Sequence, residues 1–104
     1  MGYNRELMER ADYSKPGAIK NLLRNMSALL RLAERGDTTA HSIYIDMKSA
    51  LYTEGVLSAK QKKYLLLWMA GYEQNQIAWK FEVQERTIRK GIRLGVRNIM
   101  TFLE

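Results

Sequence analysis

The 104-residue chain contains no cysteine. Disulfides and thiolate metal sites are excluded on that count, and the composition suits an intracellular setting. His41 is the single histidine. Without a second histidine or a cysteine it cannot anchor an ordinary zinc site, and no nucleophile stands at a recognisable spacing from it. The longest apolar run, residues 64–70, is far too short to span a bilayer. The opening residues, Met1 to Glu6, lack the apolar stretch of a secretory signal, and Glu6 stands where myristoylation needs Ser or Thr, so a cytoplasmic location is expected. No glycine-rich phosphate loop, paired-carboxylate site, repeat or low-complexity tract occurs. The expectation is therefore no enzyme, no catalytic residue, no metal and no cofactor.

What is present is a folding composition with a one-sided charge. Hydrophobic residues make up 46% of the chain and proline occurs once, which favours a folded all-α protein of one compact domain. The formal net charge is +6. Residues 1–56 carry eight Lys/Arg against seven Asp/Glu, whereas residues 57–104 carry nine against four, so the halves stand at +1 and +5. Concentrated positive charge favours a polyanionic partner through phosphate neutralisation and counterion release. A membrane surface is the weaker candidate, because the basic residues interleave with a core stripe that lacks a Trp/Phe/Leu insertion face.

Periodicity divides the chain into an arm (residues 1–13), a two-helix scaffold or partner-binding segment (14–56) and a basic segment (57–104). The arm has no sustained period beyond a possible turn near residues 6–11. Ser14 before Lys15-Pro16 signals a helix start, and Ile19, Leu22, Leu23, Met26, Leu29, Leu30 and Ala33 mark one long helix to about Arg35, with Gly36 as its left-handed cap. Asp37 is placed to cap a second helix with the stripe Ile43, Met47, Ala50 and Leu51, ended by Gly55. Ser58 and Gln61 form the pattern of a capping box for a third helix. Its residues Tyr64, Leu65, Leu67, Trp68 and Met69 make it the expected centre of the core, and Gly71 closes it. Lys60, Lys62 and Lys63 lie in its first turns, where the helix dipole disfavours cations. Phosphate contact and a solvated basic end are the two readings of that arrangement.

A fourth, short helix is expected over residues 73–80, with Ile77 and Ala78 inward and Gln74, Asn75 and Gln76 free to hydrogen-bond a DNA backbone. After a break at Phe81, Glu82, Val83 and Gln84, a fifth helix follows from Glu85 to about Phe102. Ile88, Ile92, Val96, Ile99 and Leu103 form its stripe, and Arg86, Arg89, Lys90, Arg93 and Arg97 fall outside it. Two helices joined by a short turn, the second basic, can deliver that second helix into a major groove. Gly91 and Gly95 cost about 1 kcal/mol each in helix propensity. Their spacing implies close packing by another helix or by a second copy, so a homodimer through this face or through the N-terminal helices is a candidate.

Several residues extend the pattern to a known family. Leu57-Ser58 with Gln61 opens a helix that Gly71 ends; Gln76-Ile77-Ala78 stands where Glu-Ile-Ala is usual; Phe81-Glu82-Val83 forms the turn; Thr87-Ile88-Arg89-Lys90 lies in the last helix. Together they resemble region 4 of bacterial sigma-70 factors, the part that recognises the promoter's upstream element. LuxR-type regulators and small phage proteins, among them sigma-like late-gene regulators and terminase small subunits, carry similar cores.

The resemblance implies an all-α domain of about five helices with a C-terminal helix-turn-helix. It implies base reading by Gln84, Glu85, Arg86, Arg89, Lys90 and Arg93, with Arg or Lys suited to guanine and Gln or Glu to adenine or cytosine. Lys60, Lys62, Lys63 and Lys80 become phosphate contacts, while Thr87 and Ile88 seat the helix. The implied partner is double-stranded DNA, with RNA polymerase or another protein as a second. The turn usually carries glycine where this chain has Glu82, so either a left-handed non-glycine residue or a different turn is expected. The first half does not resemble the polymerase-binding regions of a full sigma factor. A small sigma-like phage or bacterial regulator is the expected role; a terminase small subunit and a helical protein-binding module are the alternatives.

Overall fold

A computed structural model describes residues 13–104, which form six helices and no strand. They are α1 (Pro16–Arg24), α2 (Met26–Glu34), α3 (Thr38–Tyr52), α4 (Ala59–Met69), α5 (Gln74–Phe81) and α6 (Glu85–Leu103). The arm expected over residues 1–13 lies outside the described residues except for Tyr13. That tyrosine is half-buried against the core, and its hydroxyl donates to Asp46 Oδ2 on α3 at 2.9 Å. Burial first, then the hydrogen bond and charge of Asp46, push its pKa above the ordinary phenol value.

The single long helix expected from Ser14 to Arg35 is two helices. Asn25 interrupts it with φ −105° and ψ 17°. Its side-chain Nδ2 donates to the Asn21 carbonyl, the acceptor that its own backbone N–H also uses. An asparagine amide competing for helix carbonyls in this way loosens the turn. The break shifts the phase of the stripe: Leu32 is buried, whereas Leu30, expected inside, is exposed. The cap also differs from expectation. Proline at the first helical position forces the preceding residue into an extended conformation, so Lys15, not Ser14, is the N-cap.

Other boundaries follow local chemistry. Asp37 Oδ1 accepts from the Ala40 N–H at 2.9 Å. Ser58 Oγ accepts from the Gln61 N–H, and Gln61 Oε1 accepts from the Ser58 N–H, completing the capping box. The ends of α2, α4 and α5 share one motif. In each, a left-handed residue stands within two positions of the helix end and two N–H groups bond back to the final turn: Gly36 and Asp37, Gly71 and Tyr72, Glu82 and Val83. Glu82 adopts φ 56°, ψ 43°, so the turn accepts a left-handed non-glycine residue.

The element at the centre is α6, which packs against α1, α3, α4 and α5. This corrects the expectation that the Ala59–Met69 helix is central: α4 holds many apolar residues, but only Tyr64, Leu65 and Trp68 are buried. Trp68 is also covered by the Arg24 guanidinium, 4.0 Å above its ring. In α6, Ile88, Ile92, Val96 and Ile99 are all at most 1% exposed. Burying each such side chain contributes roughly 1.5–3 kcal/mol. The helix that requires Gly91 and Gly95 is the chain's own α4. A Cβ on Gly91 would stand 2.7 Å from Tyr64 Cδ2, and one on Gly95 would stand 2.9 Å from Leu65 Cδ1. The close packing expected at these glycines is thus met within the chain.

Candidate nucleic-acid interface

Glu82, Val83 and Gln84 link α5 to α6. Gln84 is the N-cap of α6, is exposed and makes no side-chain capping bond, so its amide is open at the helix start. Arg86, Lys90, Arg93 and Arg97 are exposed and recur at i, i+4, i+7 and i+11, one row along the helix. The row spans about 16 Å and is turned away from the buried Ile88, Ile92, Val96 and Ile99.

Three of the expected base-reading residues, Arg86, Lys90 and Arg93, thus share a surface, and Arg97 extends it. Arg97 was legible from its spacing but lies beyond the helix start on which the resemblance concentrates. Glu85 and Arg89 sit together on the flank of the row. Arg89 Nη2 is 3.7 Å from Glu85 Oε1, with both side chains at least half exposed. Such a pair is worth only a few tenths of a kcal/mol, so the Arg89 guanidinium is held weakly. Glu85 also complements the positive end of the α6 dipole. Thr87, expected to seat the helix, is exposed; Ile88 alone does that.

The expected phosphate contacts divide. Lys80 lies in the last turn of α5, close in sequence to the start of α6, and is exposed. Asn75 is exposed and Gln74 half-buried at the opposite end of α5. The side chain of Gln76 is occupied: its Oε1 accepts from the Glu73 N–H at 2.8 Å. Lys60, Lys62 and Lys63 are not brought beside the start of α6. Asn98 Nδ2 donates to Gln61 Oε1, which places the first turn of α4 beside the later part of α6. Lys60 and Lys63 are exposed there, whereas Lys62 turns to α3, with its Nζ 4.9 Å from the Tyr52 ring centroid.

Trp79 is 84% exposed. It borders an open groove on the outer face of α5 with Tyr72, Asn75, Gln76 and Lys80. Among the described residues no three His, Asp or Glu side chains gather to hold a metal ion, and no helix is long and apolar enough to cross a membrane. Compared with protein-family models, curated proteins and solved structures, the chain matches none.

Proposed function

We propose that this chain is a sequence-specific double-stranded DNA-binding protein, a sigma-like transcriptional regulator that lays the start of α6 into a major groove. The observation that carries the reading is the exposed row Arg86, Lys90, Arg93 and Arg97 on a helix whose other side is anchored in the core. A groove-reading helix needs both properties, because a mobile cationic segment would lose ordering entropy on binding. The short link before α6 and the open Gln84 amide agree with the helix-turn-helix reading, and the resemblance of residues 57–104 to sigma region 4 supplies the regulatory role. In this reading Arg86, Lys90 and Arg93 reach base edges, with Gln84 beside them. Arg97, Lys80 and the flanking Arg89 meet phosphates.

Selection of bound duplexes from a random pool tests the proposal. A recovered consensus, bound with a log–log salt slope of about −3 for three phosphate contacts, supports it. Recovery of unrelated sequences, or binding that survives neutralisation of Arg86, Lys90 and Arg93 together, overturns it. Particle mass in solution separates the packaging alternative, for which a ring of many copies is the expected state.

A further inference from the structure

A second surface, remote in composition from the cationic row, lies where α2, α3 and α4 meet. Met26, Leu30, Tyr44, Tyr52, Leu66 and Met69 line an open groove of about 320 Å³. That is the lower end of the range, roughly 300–1,000 Å³, in which proteins accept small ligands or inserted side chains. Leu30 and Tyr52 are exposed, and Met26, Leu66 and Met69 are half-buried. Methionine and leucine walls adapt to varied apolar shapes. Leu30 is outside because the break at Asn25 rephased α2, so the exposed apolar surface is a product of that break.

Charge identifies the occupant. Lys48 is on the groove wall with its Nζ 6.0 Å from the Tyr44 ring centroid, and Lys62 extends over the Tyr52 ring at 4.9 Å. Both aromatic edges therefore carry a cation, and no carboxylate lines the groove. A second copy of this chain docked about a two-fold axis would set these lysines against their equivalents, which electrostatics disfavours. Among the described residues there is no strand edge to template an extended peptide, so the fitting form is a helix.

We infer that the groove between α2, α3 and α4 receives an amphipathic helix of another protein, with apolar side chains at i, i+3, i+4 and i+7 and flanking Asp or Glu that meet Lys48 and Lys62. The inference does not depend on DNA binding.

A fluorescein-labelled synthetic helix of about 14 residues with leucine at those positions and glutamate on its flanks, titrated against the full chain, is the test. Its companion carries lysine in place of each glutamate. The acidic peptide is expected to bind about tenfold tighter than the basic one, Leu30→Asp to weaken it about tenfold, and Lys48→Glu to abolish the preference between peptides. Leu30 and Lys48 are both exposed, so each variant retains the core. Failure of both peptides to bind overturns the inference. So does loss of binding in Arg93→Gln/Arg97→Gln with none in Leu30→Asp, because the peptide is then held by the α6 row. Competition by self-association of the chain through this groove overturns it in favour of a second copy.

Discussion

Along α6 two rows of side chains run side by side with opposite obligations. Ile88, Ile92, Val96 and Ile99 are buried against the other helices, while Arg86, Lys90, Arg93 and Arg97 touch solvent. The first row holds the molecule together; the second is free of that duty. If the outer row reads DNA as proposed, stability and recognition are separable on one helix, and substitutions on either row should move one property and leave the other.

The largest effect belongs to the buried row. Ile92→Ala leaves a cavity at the hub of the fold and should cost about 2–5 kcal/mol in urea unfolding. A loss well below that range would mean that the surrounding helices collapse into the space. On the outer row, Lys90→Ala combined with Arg93→Ala should weaken duplex binding by ~1–3 kcal/mol for each base-reading side chain while the melting temperature holds. A matching fall in stability would show that the rows are not independent.

Gly91→Ala probes the boundary between the rows. Helix propensity favours alanine by about 1 kcal/mol, but the new methyl meets the buried Tyr64 ring at 2.7 Å. Overpacking of this kind costs typically 1–3 kcal/mol, so net destabilisation by urea titration is expected. Glu82→Gly should act in the other direction. It relieves a left-handed residue, stabilising the fold by about 1 kcal/mol, and removes an acid near the start of the cationic row, so it should also tighten DNA binding.

The smallest effect is at Tyr13. Its folded-state pKa is raised from the model-compound value of 10.0, so the hydrogen-bonded phenol adds stability that is complete below pH 10 and lost as pH rises above it. Tyr13→Phe should cost about 0.5–1.5 kcal/mol at neutral pH and flatten the alkaline fall in melting temperature.

Local signals made most element boundaries legible. Asp37, the Ser58 and Gln61 box, and the glycines at 36 and 71 each act through neighbours in sequence, and the inward row of α6 follows from spacing alone. Longer-range features were hidden. Asn25 breaks a helix without proline or glycine; Tyr13 is fixed by Asp46; Lys62 lies over the Tyr52 ring. The apolar richness of α4 suggested a central place that topology gives to α6. Among the candidate site residues, spacing set Arg86, Arg89, Lys90, Arg93 and Arg97 outside the apolar stripe but separated neither the row of Arg86, Lys90, Arg93 and Arg97 nor the pairing that draws Arg89 toward Glu85.

The close approach of α4 to Gly91 and Gly95 also governs aim. Tyr64 and Leu65 sit where side chains at 91 and 95 would otherwise project, so α4 and α6 are drawn together at both positions. The guanidinium and ammonium groups are carried on the side of α6 turned away from that seam. Under the proposed function, a polyanion would meet them on a keel whose bearing is set by that seam.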